Sequence, residues 1–71
     1  MPLIKRSLSL SGHRTSLSLE PEFWTVLDQA AALEHRSLAA LINAIDAERG
    51  EDPLASSVRV WVLRRLMRED R

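Results

Sequence analysis

Few side chains in this sequence are placed to act on another molecule, and they are cations and hydroxyls. Lys5 and Arg6 head one run, Lys5-Arg6-Ser7-Leu8-Ser9-Leu10-Ser11, and Arg14 lies near the head of another, His13-Arg14-Thr15-Ser16-Leu17-Ser18-Leu19. Polar and apolar residues alternate strictly, the period of a half-buried strand. In the second run this sets Arg14, Ser16 and Ser18 on one face and turns Leu17 and Leu19 to the other. A guanidinium forks onto paired acceptors, and a serine hydroxyl donates or accepts. Farther along, Arg36-Ser37-Leu38 heads an apolar-periodic stretch. Ser37 is a good helix N-cap there, worth about 1 kcal/mol. The backbone amides of Ser37 and Leu38, beside the positive charge of Arg36, also make an anion site at that helix end. Both groups recognise by charge and hydrogen bond.

Bond-making chemistry lacks its residues. There is no cysteine, so disulfides and thiolate metal sites are excluded. His13 and His35 stand far apart with no ligand-like spacing and no evident acid or base partner, and they read as turn residues. No pair of carboxylates in a plausible cleft and no glycine-rich phosphate loop is present. The sequence therefore predicts no enzyme, no metal and no cofactor.

The elements that must position these residues fit a single small domain. A chain of 71 residues buries only about 60% of its unfolded surface, and oligomerisation is the staple expected to stabilise it. No apolar run approaches the roughly 20 residues of a membrane span, and the first twelve residues lack the apolar core of a signal peptide; a cytoplasmic protein is expected. Ten Lys and Arg balance ten Asp and Glu. A net charge of zero speaks against a nonspecific coat for nucleic acid but leaves a local basic patch open. The charges are in fact segmented. Residues 1–19 hold Lys5, Arg6 and Arg14 and no acid, a net +3; residues 20–52 hold eight acids against Arg36 and Arg49, a net −6; residues 53–71 hold five arginines against Glu69 and Asp70, a net +3.

Gly12 separates the two alternating runs. A two-residue loop at Gly12-His13 predicts a hairpin in which Leu8 faces Leu17, Leu10 faces Thr15, Ser9 faces Ser16 and Ser7 faces Ser18. Glu20-Pro21-Glu22 opens a helix over about 21–34, with Phe23, Leu27, Ala30 and Ala31 at helical spacing and Trp24 beside them. Ser37 opens a second helix with Leu38, Leu41, Ile42 and Ile45 on one face. Gly50 stops it, and Asp52-Pro53 starts a third helix over about 53–68. On that third helix Ala55, Val58, Val62, Leu63, Leu66 and Met67 form an apolar arc interrupted by Arg59. Arg64, Arg68 and Arg71 are expected as a solvated stripe, and Trp61 as part of a dimer seam.

The stretch from Arg14-Thr15-Ser16-Leu17-Ser18-Leu19-Glu20-Pro21-Glu22-Phe23-Trp24 to His35-Arg36-Ser37-Leu38 resembles the ribbon-helix-helix family of bacterial DNA-binding proteins, over residues 14 to about 49. The Lys-Arg-Ser prefix, Gly-His-Arg-Thr-Ser junction and Phe-Trp pair are similar to a subfamily of short stand-alone members with a third helix. The sequence departs from the family with His35 where glycine is usual, Asp46 where the second helix usually stays apolar, and short side chains at Ser16 and Ser18. The resemblance implies a mainly α fold with an N-terminal β-ribbon, built as an intertwined homodimer. Residues 1–13 would be a strand or basic arm, 14–49 the ribbon-helix-helix core, and 50–71 a loop and C-terminal helix.

The function so implied is a sequence-specific transcriptional regulator, a repressor, whose antiparallel ribbon enters the major groove of a palindromic operator in double-stranded DNA. Arg14, Ser16 and Ser18 would contact bases, Arg14 by forking onto guanine O6 and N7. Lys5, Arg6, Arg36, Ser37 and Leu38 would contact phosphates. Leu17, Leu19, Phe23, Leu27, Leu41, Ile42, Ile45 and Trp61 would form the dimer core, with residues 4–11 as an outer strand on each side of the ribbon. A reading from another class is a dimeric protein-interaction module or antitoxin-like adaptor, binding a protein partner through its helices. The acidic middle segment and the extra amphipathic helix speak for it.

Overall fold

The computed structural model describes residues 2–69. The two alternating runs form β1 (Ile4–Leu10) and β2 (His13–Leu19), an antiparallel hairpin. Its loop is Ser11-Gly12, with φ of 51° and 82°. The register pairs Ile4 with Leu19, Arg6 with Leu17, Ser7 with Ser16, Leu8 with Thr15 and Leu10 with His13. The expected pairing of Leu8 with Leu17 is thus displaced by two residues. The reason lies in the turn: a tight hairpin loop with positive φ at both central residues matches the twist of the flanking strands, and glycine fits its second position. The hydroxyl of Ser11 holds the first position in place by donating to Asn43 Oδ1 at 3.0 Å. A displacement of two leaves the faces unchanged, because side chains alternate with a period of two. Leu8, Leu10, Leu17 and Leu19 all turn inward and are buried.

Three helices back this face: α1 (Pro21–Leu33), α2 (Leu38–Glu48) and α3 (Leu54–Glu69). Proline starts α1 where its missing N–H costs nothing. At the other end His35, at φ 55°, donates its N–H to Ala32 O, while Arg36 N–H reaches Ala31 O. These two bonds define a left-handed helix cap, the conformation for which glycine is usually selected. Ser37 then begins α2, its Oγ accepting from Ala40 N–H at 3.0 Å. The two helices are separated by so few residues because one signal ends α1 and the next begins α2.

The core lies between the inner face of the hairpin and the helices. Leu19, Leu27, Leu41, Ile42 and Val58 are fully buried, each such side chain contributing about 1.5–3 kcal/mol. Trp24 is also buried, whereas Phe23, expected in the core, is only partly so. The indole has the longer reach, and its Nε1–H donates to Ile4 O at 2.8 Å. Arg59, which interrupts the apolar arc of α3, reaches Glu20 Oε1 with Nε and Nη2 at 3.1 and 3.0 Å and lies over the Phe23 ring. Asp46, half-buried in α2, pairs with Arg49 one turn later. Among the described residues no helix is long and apolar enough to cross a membrane.

Candidate nucleic-acid interface

Alternation along β1 and β2 sets six side chains on the outer face of the sheet: Lys5, Ser7 and Ser9 from one strand, Arg14, Ser16 and Ser18 from the other. The register places Lys5 opposite Ser18, Ser7 opposite Ser16, and Ser9 opposite Arg14. Ser18 is half-buried and the other five are exposed. Arg14 Nη1 donates to Ser9 Oγ at 3.4 Å, a weak cross-strand bond that leaves the guanidinium available to a ligand. Neither strand carries an acid, and neither Lys5 nor Arg14 forms an ion pair among the described residues. Five other arginines are engaged, Arg6 with Asp28, Arg36 with Glu34, Arg49 with Asp46, Arg59 with Glu20 and Arg65 with Glu34 and Glu69. The face is therefore cationic and hydroxylic, and its two charges stand at opposite ends of opposite strands.

The expected phosphate contacts separate. Lys5 points outward with Arg14. Arg6, its neighbour in sequence, turns to the helix side, where Nη1 and Nη2 grip Asp28 at 3.0 and 3.1 Å and the guanidinium lies 4.5 Å from the Trp24 ring centre. The same period of two that groups Arg14 with the serines divides Lys5 from Arg6. Arg36, Ser37 and Leu38 sit on a different element, the start of α2. There the cap bond from Ala40 occupies the Ser37 hydroxyl, and helix geometry points the amides of Ser37 and Leu38 out of the helix end. Arg36 Nη2 is held by Glu34 Oε1 at 2.7 Å, so an anion at this end competes with a carboxylate for it.

Of the expected dimer-core residues, Leu17, Leu19, Leu27, Leu41, Ile42 and Ile45 are already buried within one chain. Phe23 and Trp61 remain partly exposed and packed against that core. Arg65 lies over the Trp61 ring, 5.5 Å from its centre. Arg64 and Arg68 are exposed on α3, as the stripe predicts, and Arg71 lies outside the described residues. The sequence reading passed over Ser7 and Ser9. The signal that could have found them is the same alternation that singled out Ser16 and Ser18, applied to β1.

Glu20 joins the ribbon to α1. Its own backbone amide and the Arg59 guanidinium hold its carboxyl below the usual carboxylate range, against a small opposing effect of burial.

A two-stranded ribbon leading through a short junction into two helices defines a class of small ribbon-on-helix domains. The family described as a ribbon-helix-helix domain matches residues 3–66, and the chain belongs to it. Members of this family are generally DNA-binding transcription regulators or antitoxins, they bind DNA as dimers, and they are typically not enzymes. No curated protein and no solved structure matches the chain.

Proposed function

We propose that this protein is a sequence-specific transcriptional regulator, a repressor, that acts as a homodimer in the bacterial cytoplasm and lays an antiparallel β-ribbon in the major groove of a palindromic operator. The observation that carries this reading is the outer sheet face, where the cations Lys5 and Arg14 flank a row of hydroxyls with no carboxylate on either strand. A major groove admits a two-stranded ribbon. Arg14 forks onto guanine O6 and N7, and Ser16 and Ser18 donate to or accept from base edges. Lys5 and the amides of Ser37 and Leu38 meet phosphates, joined by Arg36 once Glu34 releases it; Arg6 would have to leave Asp28 to do the same. The homodimer is supported by apolar side chains that one chain leaves uncovered, Val60, Leu63, Leu66 and Met67 on α3.

The test is a mobility-shift titration against random duplex at two salt concentrations. A dimer presents four outward cations, so the slope of log K against log salt is expected to be roughly −4. Arg14→Ala is expected to abolish binding. A wild-type protein that shifts no duplex even at low salt refutes the regulator.

One observation favours the second reading, an adaptor or antitoxin-like module that binds a protein. Phe23 and Val26 of α1 and Val60, Leu63 and Leu66 of α3 line an almost wholly apolar groove of about 400 Å³, with Glu22 and Arg59 also on its walls. Leu63→Asp is expected to abolish capture of a protein partner under that reading.

A further inference from the structure

Two of the arginines expected on phosphates are paired with carboxylates, and the two pairs differ in kind. Arg6 meets Asp28 through two nitrogens and lies over Trp24, on the helix side of the sheet, where it fastens β1 to α1. Arg36 meets Glu34 Oε1 through Nη2 at 2.7 Å, on the short junction that leads into α2. Residues two apart in a helix point in different directions and do not meet. Glu34 and Arg36 meet because His35 between them is left-handed, at φ 55°, and folds the chain back so that Arg36 N–H reaches Ala31 O. The turn that sets the start of α2 thus also makes the pair.

Glu34 is in turn fixed from outside the junction. Its second oxygen, Oε2, accepts from Arg65 Nη1 of α3 at 3.0 Å, and Arg65 is steadied by Glu69 Oε1 at 3.3 Å and by the Trp61 ring. Each carboxylate oxygen is therefore taken by one arginine. When Arg36 turns to another anion, Arg65 still holds Glu34 in place. A negative charge then stands beside the helix end at which a phosphate would arrive.

We propose that Glu34 restrains sequence-independent binding of DNA: its carboxylate takes the place of a phosphate on Arg36 and repels the phosphate that would replace it. The inference rests on the regulator reading above and names the residue that sets how many of its cations reach the backbone. Phosphate contacts carry no sequence information. An arginine withheld from them lowers affinity for every duplex alike, and leaves the base contacts of the ribbon to distinguish one duplex from another. The slope of roughly −4 given above counts Lys5 and Arg14 of two subunits, and Arg36 is absent from that count.

The pair can be removed without disturbing the fold. About a third of each side chain is exposed, so the contact adds little to stability. Glu34→Gln keeps the side-chain shape and the backbone N–H that donates to Ala30 O at the end of α1. The test measures binding to a random-sequence duplex at about 50 and 200 mM salt. Glu34→Gln is expected to bind about ten-fold tighter than the wild type at the lower salt, with a slope steeper by about 2, because one more arginine per subunit joins the backbone contacts. A slope change of that size removes about ten-fold of the advantage at the higher salt. Adding Arg36→Ala to Glu34→Gln is expected to cancel the gain. Glu48→Gln supplies the control: it deletes an equal charge at the other end of α2, about 15 Å along the axis, from a carboxylate with no ion pair among the described residues. Its slope is expected to match the wild type, and circular dichroism verifies that each variant keeps the fold. A Glu34→Gln protein that binds no tighter, or with the wild-type slope, overturns the inference. So does a gain that survives Arg36→Ala or that Glu48→Gln reproduces, because net charge alone then explains it. If the wild type binds no duplex at low salt, the regulator reading itself fails and takes the restraint with it.

Discussion

Replacing Trp24 with phenylalanine tests how β1 is held. The substitution keeps an aromatic ring in the core but deletes the Nε1–H that donates to Ile4 O and leaves part of a nearly sealed site empty, since Trp24 is 2% exposed. The lost bond falls at the low end of about 0.5–1.5 kcal/mol, because Ile4 is 43% exposed and water can replace the indole at its carbonyl. The smaller ring adds a cavity penalty of about 1–2 kcal/mol, a fraction of what full truncation of a buried aromatic costs. Arg6 keeps a ring to lie on, but a weaker one, worth a few tenths of about 0.5–1 kcal/mol. The expected loss is about 2–3 kcal/mol. With a urea dependence of about 1 kcal/mol per molar for a chain this small, the unfolding midpoint falls by about 2–3 M. Trp61, partly exposed on α3, remains as the fluorescent reporter. A loss under about 1 kcal/mol would mean that the indole neither anchors β1 nor fills its site, and the account of a fastened hairpin would be wrong.

Other substitutions test local features. His35→Gly relieves a left-handed residue at the end of α1 and is expected to stabilise the fold by about 0.5–1 kcal/mol after glycine's greater unfolded-state freedom is counted, raising Tm by several degrees in calorimetry. Ser37→Ala removes the cap bond to Ala40 and is expected to cost about 1 kcal/mol in urea unfolding. Glu20 has its carboxyl pKa lowered in the folded state, so its contribution to stability is full above its unfolded pKa and lost as pH falls through the folded one. Glu20→Gln is therefore expected to flatten the acid limb of a stability-against-pH curve while leaving its neutral plateau lower than that of the wild type.

The same alternation that made the faces of the ribbon legible could not reveal its register. A slip of two residues moves every cross-strand partner yet keeps every side chain on its face, so Leu8, Leu10, Leu17 and Leu19 turn inward under either pairing. The helix ends were legible because their signals are local: Pro21 at the start of α1, Ser37 at the start of α2, Gly50 and Pro53 between α2 and α3. Phe23 and Trp24 are adjacent and both aromatic, and nothing within the helix period separates a rim residue from a core residue at that position. Their difference depends on Ile4, twenty residues away, whose carbonyl gives the indole a partner.

What this sequence determines by itself is therefore periodic and local: a strand pattern that gathers Arg14, Ser16 and Ser18 on one face, three helices with their limits, and a family likeness that the ribbon-helix-helix match establishes. Backbone sterics and side-chain alternation act within a few residues and are readable in one dimension. The tertiary structure alone decided which residues oppose one another across the hairpin, that Arg6 joins Asp28 while Lys5 stays outward, and that Arg59 closes onto Glu20 across 39 residues of chain. Those outcomes depend on groups distant in sequence meeting at hydrogen-bonding distance, which only the packing of the hairpin on its helices brings about.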